Sequence, residues 1–78
     1  KMAVLNVIIK DRKTGAPIPY VRVQLNSIAS SADSQGKATF DVPPGEYTLS
    51  VRSPAHRPYT SKVKAPGTYT VYLEYALF

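Results

Sequence analysis

Apolar and polar residues alternate with a period of two along most of this chain. Successive side chains of a strand point to opposite faces, so this period marks strands with one buried face. The stretch Asp33 to Arg52, DSQGKATFDVPPGEYTLSVR, shows it best. Ala38, Phe40 and Val42 fall on one face, and Lys37, Thr39 and Asp41 on the other. Pro43, Pro44 and Gly45 stop that run, because proline has no N–H to give to a ladder. Tyr47, Leu49 and Val51 restart the alternation, with Thr48, Ser50 and Arg52 facing outward. Asp33 to Gly36 forms a polar turn at the entrance. Its Asp can bond the backbone ahead, and Gly36, like Gly45 at the next corner, can take a positive φ without a Cβ clash.

The same reading predicts strands to either side. Ala3 to Lys10 places Leu5, Val7 and Ile9 on one face, and Val4 and Ile8 make the other face apolar enough to suggest cover on both sides. Gly15, Pro17 and Pro19 mark Asp11 to Pro19 as a turn region. Tyr20 to Asn26 predicts a strand with Val21, Val23 and Leu25 inward, and Ser27 to Ala32 a short edge strand or a loop. After the central stretch, Ser53 to Pro58 reads as a turn. Tyr59 to Ala65 reads as an edge strand protected by Lys62 and Lys64, and Thr68 to Phe78 as a last strand with Tyr69, Val71, Leu73, Tyr75 and Leu77 inward. No segment carries the apolar spacing of a helix. Six or seven short strands with turn signals between them predict an all-β antiparallel sandwich.

Seventy-eight residues make one domain, spanning 1–78. A chain this short buries only about 60% of its unfolded surface. With no cysteine there is neither a disulfide nor a thiolate metal site to reinforce it. The formal charge is +5, but the basic residues are dispersed rather than gathered into a stripe with aromatics, which argues against a nucleic-acid binder. No apolar run reaches the roughly 20 residues of a membrane span.

Candidate chemistry is sparse. His56 is the only histidine and, between prolines, reads as a surface turn residue. Neither a G-x-S-x-G elbow, nor a Ser/His/Asp set, nor a Gly-rich phosphate loop is visible in the sequence. Asp33 beside Ser34 and Gly36 hints at a calcium loop, but calcium takes six to eight oxygens and several carboxylates, and Asp33 stands alone. Asp11 and Asp41 are isolated, so a paired-carboxylate glycosidase has no support. The expectation is a non-enzyme with no cofactor and no metal.

The order of motifs carries a family resemblance. KDRKTGAPIPYVRVQL, then DSQGKATFDVPPGEYTLSVRSPAHRPY, then a closing YTVYLE strand resembles the carboxypeptidase regulatory-like domains of the transthyretin-like, or prealbumin-like, superfamily. The resemblance runs from about Val4 to Glu74 and is sharpest at 14–23, 33–40 and 42–51. It implies a seven-stranded Greek-key β-sandwich that acts as a structural or interaction module, extracellular or at a cell surface. One departure is local: members often place a Gly-aromatic pair where this chain has Ala55 and His56.

Two surfaces are candidates for contact. Tyr47, Tyr69 and Tyr75 lie on inward faces by alternation, whereas Tyr20 and Tyr72 face outward and could stack on carbohydrate. The last strand stays apolar through Tyr75, Ala76, Leu77 and Phe78. Either it is simply a central strand, or it docks on a neighbouring copy or an adjacent domain by strand addition. A head-to-tail contact that does not close by rotation would propagate into a filament. Packing against copies of itself or against neighbouring domains is therefore the expectation, and carbohydrate binding through Tyr20 and Tyr72 the alternative.

Overall fold

The computed structural model describes residues 1–76, and these form two packed β-sheets. Seven strands follow in order: β1 (Ala3–Asp11), β2 (Arg22–Leu25), β3 (Ile28–Ser31), β4 (Lys37–Val42), β5 (Gly45–Arg52), β6 (Tyr59–Ala65) and β7 (Gly67–Leu73). One sheet has the order β4-β1-β7 and the other β3-β2-β5-β6. The sandwich is the one the alternation predicts, and its seven strands are the number the family resemblance implies. One pairing departs from the antiparallel rule: β7 runs parallel to β1, with Leu5 beside Gly67 and Asp11 beside Leu73. Period two is blind to strand direction, so only the topology reveals this.

The inward residues of both sheets make one core. Leu5, Val7, Ile9, Val23, Leu25, Leu49 and Val51 are fully buried, and Phe40, Val63, Val71 and Leu73 nearly so. β3 is an edge strand of four residues, with Ile28 half exposed. β6 and β7 edge different sheets, so 65–67 crosses between layers and is not a hairpin turn.

Three expectations change on the structure. The outer face of β1 is open, with Val4 exposed, because among the described residues no second layer covers the three-stranded sheet. β2 is shorter than predicted: Tyr20 and Asn26, its expected ends, take φ of 61° and 51° and turn the chain out of the sheet. β7 stops at Leu73, so Tyr75 leaves the alternation and is exposed, not core. Tyr47 and Tyr69 do pack against the core, half-buried, with hydroxyls bonded to backbone of Pro43 and Lys64.

Candidate functional site

The chain reversals 11–20, 32–36, 53–58 and 73–76 gather at one end of the sandwich. This follows from register, since Asp11 pairs with Leu73 and Arg22 with Arg52. Turn chemistry shapes the reversals. The Asp11 carboxylate accepts from the N–H groups of Lys13 (2.9 Å) and Thr14 (3.0 Å). The Asp33 carboxylate accepts from Gln35 (2.8 Å) and Lys37 (2.9 Å). Asp33 thus serves its own turn, and among the described residues no group of three or more His, Cys, Asp or Glu could hold a metal ion.

His56 is not the free surface residue expected. Its side chain is only 9% exposed, with Nε2 2.8 Å from Asp11 Oδ2 and Nδ1 2.9 Å from Ser53 Oγ. An ionised carboxylate can only accept, so Nε2 donates to it. The array joins the end of β1, in one sheet, to the β5–β6 loop of the other. Its members are those of a hydrolytic triad, but the arrangement is that of a clamp: Ser53 and His56 belong to one four-residue turn, closed by the His56 N–H on the Ser53 carbonyl (3.2 Å). Sequence reasoning missed the array because Asp11 lies 45 residues before His56, and no local spacing connects them.

The clamp has a pH signature. The Asp11 carboxyl is held below its usual range, first by the His56 hydrogen bond and then by the N–H of Thr14. Asp33 is lowered by the N–H groups of Lys37 and Gln35. A carboxyl more acidic in the folded chain stabilises the fold above its unfolded value, near 3.8, and that contribution disappears as pH falls through the folded value. Asp11→Asn is therefore expected to lower the urea midpoint at pH 7 and to narrow the difference between pH 7 and pH 3. Melts in which parent and variant lose equal stability on acidification would remove Asp11 from the account.

The segment after β7 runs back along the 53–58 loop. Arg57 N–H donates to the Glu74 carbonyl (2.8 Å), and Ala76 N–H to the Ala55 carbonyl (2.9 Å). Tyr75 sits edge-on to His56, with ring centroids 5.9 Å apart. Two shallow clefts flank this segment. One, of about 200 Å³, is lined by Arg12, Arg57, Tyr59, Tyr72 and Glu74; the other, of about 350 Å³, by Arg12, Lys13, Glu74 and Tyr75. Arg57 and Glu74 face each other at 3.8 Å, both well exposed, which makes a weak pair.

The structure thus brings Tyr72, Tyr75 and Ala76 to one end. Leu77 and Phe78 lie outside the described residues. Tyr20 does not join Tyr72. Its N–H donates to Asp33 on the β4 side of β1, whereas Tyr72 is on β7, at the opposite flank.

The chain matches the carboxypeptidase regulatory-like domain over residues 4–77. It belongs to that family. No curated protein matches the chain. Among solved structures, a DUF3823 family protein from Parabacteroides merdae ATCC 43184 superposes with a TM-score of 0.70 at 18% identity, over 95% of this chain. This carboxypeptidase regulatory-like chain spans 45% of the length of that protein, and at this identity the likeness is one of fold.

Proposed function

We propose that this carboxypeptidase regulatory-like domain is a non-catalytic structural or interaction module of a surface or secreted protein. It docks on a second copy of itself, or on an adjacent domain, through the loop end. One observation carries the reading: the segment after β7 is tied down by backbone bonds, yet Tyr75 remains 56% exposed beside Arg12, Lys13 and Glu74. A held tyrosine next to arginine has the composition of an interface centre. Arg12 and Glu74 on the same patch also suit a two-fold contact, in which each copy's cation meets the other's carboxylate.

Sedimentation equilibrium tests the reading. The mass is expected to rise above 8.5 kDa with concentration. Tyr75→Ser is expected to weaken association about tenfold, or 1.4 kcal/mol, while the loss of its edge-on contact with His56 lowers the urea midpoint only slightly. A parent chain that stays monomeric up to about 1 mM, weaker than any useful contact, contradicts self-docking. A second reading, carbohydrate binding, rests on the cleft where Tyr59 and Tyr72 stand together, with Tyr20 taking no part. Tyrosine fluorescence titrated with neutral oligosaccharides, parent against Tyr72→Ala, separates it from docking.

A further inference from the structure

The outer face of the four-stranded sheet is cationic and, among the described residues, carries no large apolar side chain. Arg22 on β2 stands directly opposite Arg52 on β5, and both are exposed. Like charges facing each other across a strand pair are destabilising, and neither guanidinium makes an ion pair among the described residues. Further along the same face come Lys62 and Lys64 on β6, opposite Thr48 and Glu46. Glu46 is the one carboxylate set against these four cations. The positions between them carry hydroxyls, Ser50 beside Thr60 and Ser31 beside Arg22.

We infer that this face binds an anionic polysaccharide, a polymer bearing carboxylates or sulfates along a hydroxyl-rich chain. Spacing favours a polymer over a single small anion. Lys62 lies level with Thr48, four residues from Arg52, or about 14 Å at roughly 3.4 Å per residue. One small anion cannot bridge that gap, whereas successive charges on one chain can. Arg22 and Arg52 supply planar forks that match carboxylate and sulfate oxygens, and an anion between them relieves their repulsion. The small hollow of about 90 Å³ beside Arg52, lined by Ser53, His56 and Pro58, leaves room for such a group at the edge of the face.

Other occupants fit less well. A protein partner needs a buried aromatic or apolar centre, and among the described residues this face has only the small methyls of Ala29, Thr48 and Thr60. A lipid surface needs apolar side chains to insert. Single-stranded nucleic acid needs stacking platforms, and the tyrosines of β5 and β6, Tyr47 and Tyr59, sit on the inward side.

The test is calorimetric titration of the full chain at low salt with a sulfated, uronate-containing octasaccharide. The same titration uses a neutral dextran fragment, a 20-base-pair DNA duplex and phosphatidylserine vesicles. The double variant Arg22→Gln/Arg52→Gln is expected to lose at least about tenfold in octasaccharide affinity. The control Lys10→Gln/Lys37→Gln removes equal charge from the other sheet and is expected to lose less than about threefold. Without ligand, Arg22→Gln/Arg52→Gln is expected to melt no lower than the parent, since a repulsive pair has gone, so a failure to bind is not a failure to fold. Tyr75→Ser is expected to bind the octasaccharide normally, which separates this face from docking at the loop end. Absent binding by the parent, equal losses in the two double variants, or tighter binding of duplex or vesicles than of octasaccharide would each overturn the inference.

Discussion

Phe40→Ala is expected to bring the domain close to unfolding at 25 °C. Phe40 is 4% exposed on the inward face of β4, paired in register with the fully buried Leu5 of β1. Truncation removes the ring's transfer energy and leaves a cavity that rigid strands cannot close, a loss of about 3–5 kcal/mol. At the usual 0.05–0.15 kcal/mol per residue, a chain of this length holds roughly 4–12 kcal/mol in total. With no disulfide to restrain the unfolded chain, the loss takes a large share of that. Leu49→Ala, in the opposite sheet at 0% exposure, is expected to cost about 2–5 kcal/mol. Urea midpoints check both, and variants that melt with the parent would mean that the two sheets do not share this core.

Gly36→Ala has the second large effect, through the backbone and not the core. Gly36 takes φ +75°, where a non-glycine residue is disfavoured by about 1–2 kcal/mol. A Cβ there would also lie 2.6 Å from the Ile9 carbonyl oxygen, which itself accepts from the Ile18 N–H (3.0 Å). Backbone on both sides has to shift, and the Gly36 carbonyl would lose its bond from the Ile9 N–H (2.8 Å). The expected loss is about 3 kcal/mol or more. Gly15 is the control. It has the same φ of +75° but open space around it, so Gly15→Ala is expected to cost only about 1 kcal/mol. Equal urea midpoints for the two variants would show that φ alone, and not the approach to Ile9, sets the penalty.

Most of the fold is legible in the sequence because one-sided burial writes period two directly onto the chain. β4, β5 and β6 come out almost to the residue, since Gly36, the Pro43–Pro44–Gly45 corner and the Pro58 and Pro66 boundaries punctuate them. What alternation cannot carry is strand direction, hence the parallel β1–β7 pair, and the point where a strand leaves the sheet. Tyr75 keeps the inward parity of Val71 and Leu73, but the chain has by then turned onto the 53–58 loop, which supplies its hydrogen bonds. Tyr20 is exposed as expected but lies outside β2 for the mirror reason, since a positive φ turns it out of the strand. The candidate site is less legible because it is assembled from separate turns. Nothing near His56 announces Asp11, and nothing near Tyr72 announces Arg12 or Arg57. Only the closing of the two sheets brings them together.

The reading of this domain as an interaction module turns on the loop end. Its most direct test is a pair of amide spectra of the 15N-labelled chain, one dilute and one near 1 mM, the range in which weak self-contacts appear. Amides of Arg12, Lys13, Ala55 to Arg57 and Glu74 to Ala76 are expected to shift together with concentration, while those of Ala3, Asn26 and Gly45 at the opposite end stay fixed. Superimposable spectra, or shifts confined to the opposite end, would contradict self-docking through Tyr75.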